Sequence, residues 1–123
     1  MKILVVEPRK RPRRANIPHT LEDMQRIVGG YIEIIAPFDD PCVLVCDEEG
    51  KIKGYEANRL VGQDIIAGTF FIAGVDGEDL ADLPEELAYK YETLLQYPQV
   101  FIKTPVGMLA LSENGAQELI AAR

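Results

Sequence analysis

Four polar residues have side chains suited to holding a ligand, and they form two pairs, Tyr31 with Glu33 and Asn58 with Arg59. Residues that alternate along a strand share a face, so Tyr31 and Glu33 could offer stacking and hydrogen bonding side by side. Arg59 could hold a carboxylate or phosphate bidentately, from a polar stretch between strands that could reach a pocket mouth. The more common role of such an arginine is a salt bridge, here to one of the chain's 20 acidic residues.

A dense basic segment near the N-terminus consists of Arg9, Lys10, Arg11, Arg13 and Arg14. Clustered cations neutralise phosphates, so this segment could bind a nucleic acid. Without these five residues the chain has 8 basic and 20 acidic side chains, a balance of −12 that would repel a long polyanion. No aromatic residue interleaves with them for base stacking. We favour a loop that faces an acidic partner or solvent, and a compact anion such as a nucleotide is compatible with both interpretations.

The sequence contains no recognisable catalytic or metal-binding set. His19 stands alone before a helix cap, so no Ser-His-Asp order can be proposed, and as the only histidine it cannot supply a histidine-rich zinc site. In an extended segment, Cys42 and Cys46 would lie about 13 Å apart, beyond the roughly 7 Å that a disulfide spans, so they are predicted to be small buried hydrophobic residues. Local effects at turns and at a helix N-terminus account for the acidic clusters Asp39-Asp40, Asp47-Glu48-Glu49 and Glu85-Glu86. We predict no catalytic residue, no metal and no cofactor.

The elements that must position these residues follow from apolar periodicity and from glycine and proline. Strands are predicted at 2–6, 31–36, 42–46, 51–53, 65–74, 100–103 and 108–111, and helices at 20–28, 82–97 and 112–122. The basic segment is predicted to be a loop or an irregular edge, and residues 54–63 an irregular stretch. Gly29 is predicted to cap the first helix and Gly30 to form a tight entry to the next strand. This pattern predicts an α+β fold, with a mixed, mostly antiparallel sheet and two or three packed helices.

Length and composition are those of an ordinary small globular domain. The 123 residues are 47% hydrophobic and 27% charged, with a net charge of −7, which predicts a single domain over residues 1–123. Within it, 1–77 would form a sheet with the first helix, and 78–123 would supply C-terminal helices and a hairpin packed on it. The apolar runs fall far short of the roughly 18–20 residues that span a bilayer, and the N-terminus lacks a signal-peptide order. We predict a soluble, cytoplasmic protein with no membrane partner.

An ordered series of motifs runs through the first part of the chain. It comprises the helix Leu-Glu-x-Met-Gln, Val28-Gly29-Gly30-Tyr31-Ile32-Glu33, Cys46-Asp47-Glu48-Glu49-Gly50-Lys51, Asn58-Arg59 and Asp64-Ile65-Ile66-Ala67-Gly68-Thr69. Over Met1 to Gly74, this series resembles the small proteins grouped as Domain of Unknown Function 3846. The resemblance implies an origin in bacterial phages, plasmids or integrated elements, without an established activity, and it supplies no catalytic residues.

Taken together, these observations predict a non-enzymatic binding protein of a phage or mobile element that captures a host protein or a small anionic ligand. Its candidate binding residues are Tyr31, Glu33, Asn58 and Arg59. The alternative is a nucleic-acid-associated regulator that uses the basic loop Arg9 to Arg14. An enzyme would need a pocket that gathers at least two of the acids, or Arg59, around a substrate. Self-association through a sheet edge or an apolar patch is also open.

Overall fold

The computed structural model describes residues 1–121. In chain order its elements are β1 (Lys2–Val6), β2 (Arg13–Asn16), α1 (Leu21–Val28), β3 (Ile32–Ile35), β4 (Cys42–Asp47), β5 (Ala57–Val61), β6 (Asp64–Ala67), β7 (Phe70–Asp76), β8 (Asp79–Ala81), α2 (Glu85–Leu94), β9 (Gln99–Thr104), β10 (Gly107–Ser112) and β11 (Gln117–Ala121). The strands form a six-stranded sheet in the order β2-β1-β7-β4-β3 with β8 beside β7, a three-stranded sheet β11-β10-β9, and the hairpin β5-β6. All neighbouring strands are antiparallel.

The six-stranded sheet is covered on both faces because its central strands are apolar at successive positions. In β1, Leu4 and Val6 belong to one core cluster, whereas Ile3 and Val5 belong to another, as the alternation of a strand requires. The hairpin β5-β6 and α2 pack on the first face, and α1 packs on the second. The predicted strand at 2–6 is therefore confirmed, and it is buried on both sides.

Helix α1 begins and ends at the residues that the sequence predicts. Thr20 caps its N-terminus, where Oγ1 accepts a hydrogen bond from the backbone N of Asp23 at 3.1 Å. Gly29 ends the helix in the left-handed conformation, with a φ of 94° that favours glycine. Met24 and Val28 are the buried residues of the helix, so α1 contributes one apolar stripe to the second face of the sheet.

The predicted α+β fold class, with two or three helices packed on a mixed sheet, is wrong. The fold is mostly β, with 45% of the chain in strands and 15% in helices, and residues 1–121 contain two helices. One reason is Gly68, whose φ of 80° divides the predicted strand 65–74 into β6 and β7, which belong to different sheets. A second reason is that the stretch 54–63, predicted to be irregular, contains β5, which pairs with β6.

The C-terminal segment is also a strand where the sequence favoured a helix. The helix predicted over 112–122 is replaced by β11 up to Ala121, and Ala122 lies outside the described residues. Asn114-Gly115 is a turn sequence, and Gly115 has a positive φ of 86°. The pairing of β11 with β10 therefore overrides local helix propensity. The predicted hairpin of β9 and β10 is confirmed.

Two further boundaries differ from the prediction. Helix α2 is shorter than 82–97, because Asp82 accepts a hydrogen bond from the backbone N of Lys2 at 2.8 Å and does not cap the helix. Residues 51–53, predicted to be a strand, lie in a run of turns over 48–54, which we call the pocket turn. Among residues 1–121, no helix has the length and apolar character needed to cross a membrane.

Candidate functional site

A pocket of about 130 Å³ lies at the end of β4, between β3, β6 and the pocket turn. Its volume is well below the roughly 300–1,000 Å³ of pockets that hold cofactors or drug-sized ligands, so it suits a single side chain. The lining comes from four elements that are distant in sequence: Glu33 from β3, Cys46 and Asp47 from β4, Glu48, Gly50, Lys51 and Ile52 from the pocket turn, and Asp64, Ile65, Ile66 and Ala67 from β6.

The Asp47 carboxylate binds two groups of the pocket turn. Its carboxylate is buried, with Oδ1 accepting a hydrogen bond from the backbone N of Glu49 at 2.8 Å and Oδ2 accepting one from Lys53 Nζ at 2.7 Å. Lys53 Nζ also donates to the backbone oxygen of Gly29 at 3.3 Å, which ties the turn to the end of α1. A Cβ at Gly30 would overlap Lys53 Nζ and the Asp47 carboxylate. The glycine before Tyr31 is therefore needed for this close approach.

Asp47, which is buried, and Lys53, whose side chain is 35% exposed, form an ionised pair. Burial by itself raises the pKa of Asp47, but the hydrogen bonds from Lys53 Nζ and from Glu49 N outweigh it and lower this pKa below its usual range. The hydrogen bond to Asp47 in turn raises the pKa of Lys53. One negative and one positive charge thus neutralise each other beneath the pocket.

The open side of the pocket carries an excess of negative charge. Lys51 Nζ lies 2.8 Å from Asp64 Oδ1, so these two charges offset each other. Glu33 and Glu48 are exposed, and neither makes an ion pair within residues 1–121. Two uncompensated carboxylates therefore border a cavity that fits one side chain, a combination that favours a cation.

Cys46 forms part of the pocket wall but offers no thiolate. Burial raises the pKa of its thiol to about 11, and the nearby Glu33, Asp47 and Asp64 carboxylates contribute to the increase. The buried position of both cysteines agrees with the sequence prediction. In the part of the chain that the structure describes, no group of three or more His, Cys, Asp or Glu side chains could hold a metal ion.

Tyr31 and Glu33, which the sequence singled out, lie beside this pocket. Tyr31 is 70% exposed directly before the edge strand β3, which is shorter than the predicted strand 31–36. Its backbone oxygen accepts a hydrogen bond from Glu48 N at 2.9 Å. Within residues 1–121, β3 pairs on one side only, with β4. The strand edge that is unpaired in these residues therefore adjoins the pocket, and Tyr31 is joined to the pocket turn through its backbone.

Asn58 and Arg59 lie elsewhere, and their predicted position in a loop at a pocket mouth is wrong. Both are on β5 and fully buried, with 0% and 1% of their surface exposed. Asn58 Nδ2 donates to the backbone oxygens of Val6 at 2.9 Å and Gly68 at 2.8 Å. Asn58 thereby joins β1 to the turn that separates β6 from β7.

The guanidinium of Arg59 donates hydrogen bonds to other groups of the protein. Nε donates to the Leu95 backbone oxygen at 3.1 Å, Nη2 to the Lys10 backbone oxygen at 2.6 Å, and Nη1 to Asn58 Oδ1 at 2.9 Å. None of these partners is a carboxylate, so the expected salt bridge is replaced by neutral acceptors. Burial lowers the pKa of Arg59 to about 10, which leaves the side chain charged at neutral pH. Arg59 links β5, the end of α2 and the basic loop.

Each of the five basic residues near the N-terminus makes an ion pair with a glutamate. Arg13 and Arg14 belong to the edge strand β2, and the others precede it. The pairs are Arg9 with Glu56, Lys10 with Glu7, Arg11 with Glu113, Arg13 with Glu7, and Arg14 with both Glu85 and Glu92. The local positive charge that the sequence indicates is therefore largely compensated within the molecule.

A larger pocket, of about 300 Å³, lies between β1, β2 and α2. Ile3, Leu83 and Ala88 form its apolar floor, and Arg14 and Glu85 stand at its rim. Because Arg14 pairs with Glu85 and Glu92 there, the rim offers an anion no free positive charge from this arginine. The geometry favours the smaller acidic pocket as the candidate site.

Sequence reasoning identified Tyr31 and Glu33 but missed the role of Glu48, Ile52 and Asp64. The acidic run predicts a turn at Glu48, as observed, whereas the strand predicted at 51–53 is absent and Ile52 is 84% exposed in the pocket turn. An isoleucine between two lysines after an acidic turn is the local signal that could have marked an exposed apolar residue. No local signal brings Asp64 to Glu33, because their proximity depends on the packing of β6 below β4.

Residues 1–96 match the protein family described as Domain of unknown function (DUF3846). The match extends beyond the series of motifs over Met1 to Gly74 and includes α2. No curated protein and no solved structure matches the chain.

Proposed function

This chain belongs to the DUF3846 family, and from its acidic pocket we propose that it is a non-enzymatic binding protein that captures a partner protein through a positively charged extended segment. The segment lies along β3 and places one lysine or arginine side chain in the pocket. The observation that carries this proposal is the pair of uncompensated carboxylates, Glu33 and Glu48, at a cavity of about 130 Å³.

The size of the pocket supports a side chain over a small-molecule ligand. A cavity this small excludes a nucleotide or a cofactor, whereas an alkyl chain that ends in a cation fits it. The apolar stem would contact the Ile65 and Ile66 wall, and the cationic head would meet Glu33 and Glu48 at the mouth.

The edge of β3 supports an extended partner. Backbone groups on the outer side of an edge strand can pair with an added strand, which supplies affinity through main-chain hydrogen bonds. Tyr31 and Ile52 are both strongly exposed; Ile52 lines the pocket, and Tyr31 bonds to Glu48 through its backbone. An aromatic ring next to carboxylates also provides a surface for a second cationic side chain.

The charge distribution of the whole chain supports a basic partner. The net charge is −7, and the basic loop Arg9 to Arg14 is engaged in ion pairs with Glu7, Glu56, Glu85, Glu92 and Glu113. The same pairing weighs against the nucleic-acid alternative, and the internal hydrogen bonds of Arg59 weigh against a small anionic ligand. We include in the proposal a cytoplasmic location and a host protein as the partner of a phage or mobile-element product.

Two peptides of equal length test the proposal, one alternating lysine with threonine and one alternating glutamate with threonine. We expect the lysine peptide to bind in fluorescence anisotropy and to shift backbone amide NMR signals of residues 31–35 and 46–52. A Glu33→Lys, Glu48→Lys double variant will weaken this binding at least about tenfold, because two attractive charges become repulsive.

The matched control is a Glu78→Lys, Asp79→Lys double variant. Both acids are exposed, Glu78 in the turn between β7 and β8 and Asp79 at the start of β8. Each exchange replaces one negative charge with one positive charge, so both double variants change the net charge from −7 to −3. The control will retain more of the binding than the pocket variant. Equal binding of the two peptides, no binding, or the same loss in both double variants would contradict the proposal.

A further inference from the structure

The C-terminal sheet presents an apolar face with nothing packed on it in residues 1–121. The register places Leu109 between Ile102 and Leu119, and Leu111 beside Val100. Directly opposed residues of neighbouring strands, and alternate residues of one strand, share a face. Val100, Ile102, Leu109, Leu111 and Leu119 therefore form one continuous surface, which we call the apolar face.

The side chains of this surface are open to solvent. Val100 is 57% exposed, Ile102 45% and Leu119 56%, and Leu109 and Leu111 are half-buried. Ala110, on the opposite face, is 1% exposed. Clustered apolar residues at such exposure are uncommon on a monomer and are typical of a contact surface.

Contacts with the rest of the chain fix the orientation of this sheet. Gln99 Oε1 accepts a hydrogen bond from Leu60 N at 2.7 Å, which attaches β9 to β5. The carboxylate of Glu113, the residue after β10, pairs with Arg11 at 2.7 Å. The apolar face is thus held on a sheet that is attached to the body of the protein at the start of β9 and at the end of β10.

The charge distribution indicates what covers the apolar face. Residues 99–121 contain one lysine and two glutamates, and the Arg11 pair neutralises Glu113. The remaining Lys103 and Glu118 have opposite signs, and they lie on the other face, opposite Met108 and Ala110 respectively. Gln117, the polar residue beside Leu111 on the apolar face, is uncharged. This region is therefore close to neutral in a chain of net charge −7.

We infer that the apolar face binds a second copy of this chain, with the two sheets packed face to face about a twofold axis. Two copies of an acidic protein repel each other over most of their surface, and the apolar face is a region where they can approach without opposing like charges. A surface without charges is complementary to itself, as a twofold interface requires. A partner recognised by its charge would find no opposite charge here.

This surface lies outside the part of the chain that matches the family, which ends at residue 96. It is also separate from the acidic pocket, to which none of its residues contributes. The inference is therefore independent of the proposed peptide site. Each copy contributes only five side chains, so the interface is small, and we expect a weak, reversible dimer.

Sedimentation velocity over a wide concentration range tests the inference. We expect the wild-type chain to shift from monomer to dimer as its concentration rises. Ile102→Asp and Leu119→Asp will each weaken dimerisation at least about tenfold, because each variant places an unpaired carboxylate in an apolar contact. Both side chains are exposed in the monomer, so the variants will keep the circular dichroism spectrum and thermal midpoint of the wild type.

Val106→Asp is the matched control. Val106 is 65% exposed and lies in the turn between β9 and β10, outside the apolar face, so the same exchange there will leave dimerisation unchanged. A chain that stays monomeric at all concentrations overturns the inference, and so does a dimer that persists in both face variants or is lost equally in the control. Binding of the lysine peptide by the Ile102→Asp variant will match that of the wild type, which separates this test from that of the proposed function.

Discussion

Replacing Arg59 with methionine will lower the free energy of unfolding by about 3 kcal/mol, a large fraction of the stability of a domain of this size. Methionine preserves much of the volume but removes every donor. The backbone oxygens of Lys10 and Leu95 and the side-chain oxygen of Asn58 would each lose the hydrogen bond that Arg59 provides. Urea unfolding followed by circular dichroism measures the change.

Two further variants show whether the effect belongs to this buried guanidinium. Arg59→Lys retains the charge, but a single ammonium group cannot reach three acceptors in different directions, so we expect an intermediate loss. Arg13→Met removes an exposed arginine that pairs with Glu7 on the surface, so the stability will change little. If Arg59→Met unfolds at the wild-type urea concentration, Arg59 is not the structural link that its hydrogen bonds indicate.

Replacing Asp47 with asparagine will lower the free energy of unfolding by about 2 kcal/mol at pH 7, because Lys53 and a turn amide lose a buried, charged acceptor. The native pKa of Asp47 is lowered, so its contribution to stability is complete above the usual carboxyl pKa of about 4. This contribution decreases as the pH falls through the native pKa. The difference between wild type and Asp47→Asn will therefore be smaller at pH 3 than at pH 7.

Urea titrations at the two pH values test this expectation. Glu48→Gln is the control, because Glu48 is the next residue but is exposed and unpaired within the described part of the chain. The difference in free energy of unfolding between wild type and the Glu48→Gln variant will be similar at pH 7 and at pH 3. A difference for Asp47→Asn that is the same at both pH values would mean that the ionised carboxylate does not stabilise the pocket turn.

The elements that could be predicted are those whose causes lie within a few residues. Helix α1 follows from the hydroxyl of Thr20 and from the left-handed conformation available to Gly29. The central strand β1 follows from its unbroken apolar run. The Asn114-Gly115 turn was equally local and could have identified β11 as a strand. At this position the local turn signal outweighs the helix propensity of the residues that follow it.

The role of Arg59 could not be predicted from its neighbours. An arginine in a polar stretch is usually exposed, and nothing near it in sequence indicates burial. Two of its three acceptors come from residues 49 and 36 positions away, Lys10 and Leu95. The ion pair of Arg11 with Glu113 likewise spans 102 positions. The sequence therefore shows the charges of the basic loop, but it does not show that glutamates distant in sequence pair with them.

The same distinction applies to the polar residues first singled out as binding groups. Their chemistry and the net charge of −7 follow from residue type, whereas the strand that would place Tyr31 and Glu33 on one face begins only at Ile32. Whether a side chain meets solvent or the interior depends on how strands pair, and a single residue such as Gly68 redirects the chain into another sheet. Packing therefore placed Glu33 beside Glu48 at an open pocket and buried Asn58 and Arg59, because a buried polar group is stable only where distant backbone atoms satisfy it.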